Sequence, residues 1–413
     1  MQDARVLSYL MQSSTSLQLF SDATGALSAP SELVEAFCAQ LHERGFAIVR
    51  LPACAHAEAT AVRAAASEFF ALDQAQKREI GDFRVVGDTY VGYRDASGTR
   101  QDCDAEFLEV HLNNGGHAFP DPPGCGVGPA AAALYARLFE MARGLLQLLA
   151  THIGVPAEAL LAPIDPPNAN ELDEGSLTSS VLRLCHYRRA QTEATGRATE
   201  ADDTPAAPAR RAEVLFDEHT DSSLLTLSML CPAAAGLELR DPLSGGSWLA
   251  VEQLPHVTPF DVEVHVGDFL AFLTRDHYMA CSHRVMRPRA AAAAAAAAGG
   301  PPGEGRLSMP FLVRARADHV LDTRPYDPDG SNAHLVEVEG VRCSDLRRLF
   351  DARGKRMLEA KRDAKRDAMQ AEAERKERAR AYREALLAGR PLSPLDSSDD
   401  DEQPPPSSGG GQK

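Results

Sequence analysis

Residues Phe216–Leu227 read FDEHTDSSLLTL, and this stretch organises the rest of the chain. It sets His219 and Asp221 two residues apart, just ahead of an apolar run. In a strand, side chains repeat with period two, so both project to one face and can share an ion while Thr220 turns away. That is half a metal site. A second imidazole is available at His283, in ACSHRV, after strand-like segments and the turn-bearing VGDFLAFLT. Two imidazoles and one carboxylate on one face leave the opposite coordination positions open for other ligands. An H-x-D pair alone arises by chance in surface loops, so the neighbouring segments must decide.

Downstream of His283 comes Arg306-Leu307-Ser308. An Arg two residues from a Ser on one strand face offers a guanidinium fork and a hydroxyl to a carboxylate. The order H-x-D, distal His, R-x-S spans three separate segments. At this point the chain, from about residue 31 to 316, resembles the isopenicillin N synthase-like branch of the 2-oxoglutarate and Fe(II)-dependent oxygenases. The resemblance implies a mainly β fold with α: a double-stranded β-helix, or jelly roll, behind an α-rich N-terminal region. It implies Fe(II) on His219, Asp221 and His283, with 2-oxoglutarate as co-substrate and ascorbate as an accessory cofactor. The far carboxylate of 2-oxoglutarate would pair with Arg306 and Ser308. Decarboxylation to succinate and CO2 would accompany oxidation, most simply hydroxylation, of a small organic substrate by dioxygen.

The strand SVLRLCHY ends in Tyr187, where this branch often has a Tyr whose hydroxyl contacts the co-substrate. Here Arg188 replaces the family's Pro, and Cys185 stands where Asn is common. His186 alternates away from Tyr187 and suits a core or surface role. His256 and His265 rank below His283 as ligands, because neither has its His-Arg-Val context. Between Gly87 and Leu112, short strands and turns should lie near the substrate pocket, making Tyr90, Tyr93 and Arg94 candidates to line it. His277, six residues before His283, is a further candidate.

The net charge of −16 argues against a general nucleic-acid or anionic-membrane surface, since both would repel such a protein. Eight cysteines without a C-x-x-C pair suggest neither a disulfide framework nor a zinc knuckle. With no signal-like run near the start, the cytoplasm is the expected location.

The expected organisation is an unstructured stretch over 1–30, an N-terminal helix and strand region over 31–175, and a β-helix core over 176–326. Within the first region, Ser31 should cap a helix ending at Gly45, a strand FAIVRL should follow, and a long amphipathic helix should run from Pro129 to Val155. Insertions at 189–211 and 290–303 interrupt the core, the second holding nine alanines, Ala290–Ala298. GLELRDPLSGGSWLAVEQLP has the pattern of a hairpin, and DVEVHVGDFLAFLT that of two more strands around Gly267. A closing helix near Ser344–Ala352 opens the charged C-terminal helices over 327–390, and an acidic tail fills 391–413.

Two other functions fit these residues. An oxidase of the same branch, forming rings or ethylene without 2-oxoglutarate, would keep the same three motifs. A non-catalytic binding module could also retain the barrel, although intact ligands at all three positions argue against it.

Overall fold

The structure is a computed structural model that describes residues 16–81, 84–86, 89–96, 105–121, 124–188, 214–287, 305–326 and 339–350. Its strands are β1 (Phe46–Arg50), β2 (Arg84–Val86), β3 (Thr89–Asp95), β4 (Ala105–Leu112), β5 (Ala118–Phe119), β6 (Val181–Tyr187), β7 (Val214–His219) and β8 (Leu225–Met229). They continue with β9 (Leu237–Asp241), β10 (Ser247–Ala250), β11 (Asp261–Val266), β12 (His283–Met286), β13 (Arg306–Val313), β14 (Val320–Asp322) and β15 (Glu339–Arg342). A nine-stranded sheet runs β1-β11-β8-β13-β6-β4-β3-β2, with β5 on β4, and a four-stranded sheet runs β10-β9-β12-β7. Neighbouring strands in both sheets pair antiparallel.

Alternation decides which residues look where. On β13, Met309, Phe311 and Val313 join the large core cluster. Arg306 and Ser308 therefore turn to the other face. The same parity puts Leu182 and Leu184 of β6, and Leu108 and Val110 of β4, in that cluster. It is covered by the helices α1 (Ser31–Arg44), α2 (His56–Ala71) and α4 (Val127–His152), with the shorter α3 (Gln74–Gly81) and α5 (Ala157–Leu161) beside them. Along α4, Leu134, Leu138, Met141, Leu145 and Leu149 recur at three- and four-residue steps, so one stripe is apolar and buried against the sheet.

The opposite face of the large sheet meets the small sheet through two lesser clusters. Ala105, Phe107, Cys185 and Tyr187 meet Leu215 and Val285. Phe46 and Ile48 meet Leu237, Leu239 and Val251. The space between them is the mouth in which the site lies. This is the expected double-stranded β-helix with helices packed on one side.

Several local expectations change. Of the 1–30 stretch, residues 16–30 are placed: Leu17 bridges to Val49, and Leu17, Leu19 and Phe20 are buried in the main core, because LQLF carries enough apolar surface to dock. Ser31 is the first helical residue rather than a cap: Pro30 precedes it and no side chain caps the helix. Gly45 does end it, at φ 77°. The run after Gly267 is not a strand but a short helix, α6 (Asp268–Leu273). Strand pairing continues past Tyr326, where β14 meets β15. Helix 343–350 follows, with Cys343 and Leu346 in the core. The insertions, the charged segment and the tail lie outside the described residues. No helix among those described is long and apolar enough to cross a membrane.

Candidate metal and co-substrate site

His219 closes β7 and His283 opens β12, and the two are direct cross-strand partners in the small sheet. Their ring centroids lie 4.2 Å apart. Asp221 is not in the strand, as period-two reasoning expects, but two residues past the end of β7, where the chain crosses toward β8. The turn still brings it to the imidazoles. Its Oδ1 is 3.7 Å from His219 Nε2, and its Oδ2 is 4.0 Å from His283 Nε2. One ligand atom from each residue fits within 4.8 Å of the others, and among the described residues this is the group able to hold a metal ion.

Each ligand is held from behind. His219 Nδ1 hydrogen-bonds to the Asp217 carbonyl at 2.8 Å, and His283 Nδ1 to the Cys281 carbonyl at 3.2 Å. A carbonyl only accepts, so both Nδ1 atoms carry the proton and both Nε2 atoms keep a lone pair. Burial is the main influence lowering the pKa of both rings, with neighbouring histidines adding to it at His283, so they remain neutral. Asp221 behaves oppositely. Burial works to raise its pKa, but the His265 hydrogen bond and the surrounding histidines hold it well below the usual carboxylate range.

Asp221 Oδ2 accepts from Thr226 Oγ1 at 2.6 Å and from His265 Nε2 at 3.1 Å. That leaves Oδ1 as the oxygen facing His219. His265 is therefore no ligand but a support: its Nδ1 is 2.9 Å from Glu263 Oε2, so both ring nitrogens face carboxylates and only the doubly protonated ring donates to both. Burial opposes that charge, yet Glu263 and Asp221 raise His265 to about 10.

Arg306 and Tyr187 are cross-strand partners, as are Ser308 and Cys185. The Arg306 guanidinium lies 5.6 Å from the centre of the Tyr187 ring. Its Nη2 donates to Glu252 Oε1 and Oε2 at 2.9 and 3.0 Å, a partner that the R-x-S motif does not disclose. Nε and Nη1 are buried without hydrogen-bond partners. Buried donors are normally satisfied, so these two mark where an acceptor belongs. Glu252 is itself fixed by the Cys231, Gly236 and Leu237 amides. A Cβ on Gly236 would come within 3.2 Å of Arg306 Nε, so glycine keeps that space open.

The expected substrate residues divide. Arg94 lies on the inner side with its guanidinium 5.2 Å from the Phe107 ring centre. Tyr93 has the opposite parity: it is buried in the helix-facing core and donates to Glu106 at 2.6 Å. Tyr90 is 53% exposed on β3. His277 packs tilted against His42, ring centroids 4.4 Å apart, near the ends of α1 and α4, and the structure does not bring it to the triad. His186 hydrogen-bonds Glu106 at 2.9 Å and stacks on Phe70, in the core role its parity suggests.

Residues 179–315, which contain every one of the triad and R-x-S positions, match the family model of the 2OG-Fe(II) oxygenase superfamily. Over this segment the chain is similar to that superfamily. Leucoanthocyanidin dioxygenase 1 of Oryza sativa subsp. japonica is 28% identical over 271 residues, covering 63% of this chain and 64% of the relative. This chain thus spans just under two thirds of that relative's length. The Schizosaccharomyces pombe sexual differentiation process protein isp7 is 29% identical over 137 residues, 33% of this chain and 29% of its own. Among solved structures, a full-length Neurospora crassa protein in complex with alpha-KG and thymine superposes with a TM-score of 0.56 at 16% identity, covering 83% of this chain and 98% of that one. A rice dioxygenase for auxin oxidation gives 0.51 at 17% identity, over 82% and 96%. At such identities these structures speak for the fold. The superfamily's cofactors are Fe(II) and 2-oxoglutarate, and the donor set found here fits both: a carboxylate with two neutral imidazoles, and a buried guanidinium with donors to offer.

Proposed function

We propose that the protein is an Fe(II)- and 2-oxoglutarate-dependent dioxygenase of the isopenicillin N synthase-like branch, which oxidises, most simply hydroxylates, a small organic substrate with release of succinate and CO2. The observation that carries this reading is the pair of partnerless donors on Arg306, buried on the inner face of the large sheet, while the small sheet carries two of the triad residues. Fe(II), when bound, supplies the activation of dioxygen. The chain's own residues set the conditions. His219 and His283 present neutral Nε2 lone pairs, and Asp221 presents one oxygen. Arg306 and Ser308 take the far carboxylate of 2-oxoglutarate, while Tyr187, whose ring flanks the guanidinium, contacts the co-substrate through its hydroxyl. Seven cysteines described in the structure are all free thiols, which suits a reducing compartment such as the cytoplasm.

The test is succinate release and oxygen uptake by iron-loaded protein across a 2-oxoglutarate titration. Charge-assisted hydrogen bonds contribute on the order of 1.5–3 kcal/mol, and lysine cannot reproduce the guanidinium geometry. Arg306→Lys should raise the apparent KM for 2-oxoglutarate by roughly ten- to a hundredfold and leave iron content unchanged. Asp221→Ala should lose iron after anaerobic reconstitution. Oxygen uptake without succinate would favour the branch members that dispense with 2-oxoglutarate, and no uptake at all would favour a binding module.

A further inference from the structure

Beyond the Arg306 end, the inner wall of the large sheet becomes basic. β6 turns Arg183 to the same face as Cys185 and Tyr187, directly across from Glu109 of β4. Arg314 continues the inward parity of Arg306 and Ser308 just past β13, and its amide reaches Ser180 Oγ at 3.2 Å, next to the start of β6. Arg183 Nη2 pairs with Glu109 Oε1 at 2.8 Å. Yet Nε of Arg183 and Nε of Arg314 are both buried with no hydrogen-bond partner. The Glu109 carboxylate thus pairs with Arg183, and Arg94 brings a third guanidinium against the face of Phe107.

Buried donors are normally met by an acceptor, because leaving one without a partner is costly. Here two guanidinium donors, Arg183 Nε and Arg314 Nε, are left without an acceptor. Burial and the neighbouring Arg183 together push Arg314 down to about 10, despite Glu109. Both guanidiniums lie toward the metal triad, since Asp221 acts electrostatically on each of them. An apolar surface adjoins it: Phe107 meets Phe216 edge-on at 6.4 Å, and Phe216 meets the His219 ring at 4.6 Å.

We propose that Arg183 and Arg314 form the substrate-recognition subsite, and that the molecule oxidised at the metal carries a carboxylate gripped there, with its body against Phe107 and Phe216. The orphaned Nε donors of Arg183 and Arg314 offer hydrogen bonds to the two oxygens of one carboxylate, an acceptor that a primary amide does not reproduce. This inference rests on the dioxygenase reading for the word substrate, but its test does not depend on turnover.

Calorimetric titrations of the full-length protein would use benzoate, phenylacetate, 3-phenylpropanoate and octanoate, each against its primary amide, with phenyl phosphate as a dianionic probe and N-oxalylglycine as a probe of the Arg306 pocket. At least one acid should bind tenfold or more tightly than its amide. Arg314→Gln should erase that preference, as should Arg183→Lys, which keeps the Glu109 ion pair but loses the guanidinium; N-oxalylglycine affinity should move less than twofold in either. The inference is overturned if no acid outperforms its amide, if the preference survives both variants, or if phenyl phosphate alone is preferred. It is equally overturned if these variants, and not Arg306→Lys, abolish N-oxalylglycine binding. Wild-type protein that distinguishes acid from amide but ignores N-oxalylglycine would sink the 2-oxoglutarate reading and leave the carboxylate subsite standing.

Discussion

Asp221 turns only Oδ1 toward His219 because Oδ2 is occupied by Thr226 and His265. Such supports fix a ligand's orientation, and losing one typically weakens metal binding ten- to a hundredfold. His265→Gln, which keeps a donor but not the charge, should therefore weaken cobalt(II) binding by about tenfold, followed in the visible spectrum of the cobalt protein. An unaltered titration would reduce His265 to a packing residue. Glu252→Gln should likewise loosen Arg306 and raise the KM for 2-oxoglutarate without changing metal content. The ligands were legible because their spacing and neighbours are local: H-x-D, the His-Arg-Val context, R-x-S. Glu252 was not, since it stands 54 residues from Arg306 and only folding joins them. Tyr93 misled for another reason. Its residue type suits a pocket, but a change of parity by one along β3 moves a side chain from the mouth to the helix-covered core.

The elements that carry the ligands are fixed by a few contacts of high consequence. The turn holding Asp221 rests on the start of α6: Asp268 N donates to Asp221 O at 2.8 Å, and Phe269 N to Ser223 O at 3.0 Å. A Cβ on Gly267 would collide with the Ser223 backbone and come within 2.8 Å of Asp221 O. Gly267→Ala should shift this turn and lower iron occupancy even though residue 267 touches no metal ligand side chain. Elsewhere, Arg44 at the end of α1 makes a two-pronged pair with Asp241 of β9, Nε to Oδ1 at 3.2 Å and Nη2 to Oδ2 at 2.7 Å, both side chains buried. Removing one member strands the other charge, so Asp241→Ala should destabilise the fold by about 3–5 kcal/mol, read as a fall in the urea midpoint. Hairpin β9–β10 and the long helix α4 were legible from turn residues and apolar spacing. The helix α6 was not, because a short apolar run after Gly has no period that separates strand from helix.

At the scale of the molecule, His277 links α1, α4 and the segment before β12. Burial first, then His42 and His152, hold its pKa at about 4 against an ordinary 6.5. A depressed histidine resists protonation in the fold, so its contribution is intact above about pH 6.5 and declines as pH falls toward about 4. The urea midpoint should drop between pH 7.5 and 5, and His277→Gln should flatten that dependence; an unchanged slope would place the acid sensitivity elsewhere. The jelly roll itself was legible through the resemblance that the H-x-D, distal His and R-x-S motifs carry, whereas the docking of residues 16–30 turns on a tertiary groove that no local pattern shows. The metal triad draws on both sheets: two ligands sit on paired strands of the small one, and the third on the crossing to β8 of the large one. An ion there acts as a clasp across the sandwich, binding the native arrangement and not the unfolded chain. By mass action, a metal at a hundred times its dissociation constant adds about 2.7 kcal/mol to global stability, so a chelator should lower the melting temperature of the entire domain as one cooperative unit, with no separate early transition in the small sheet.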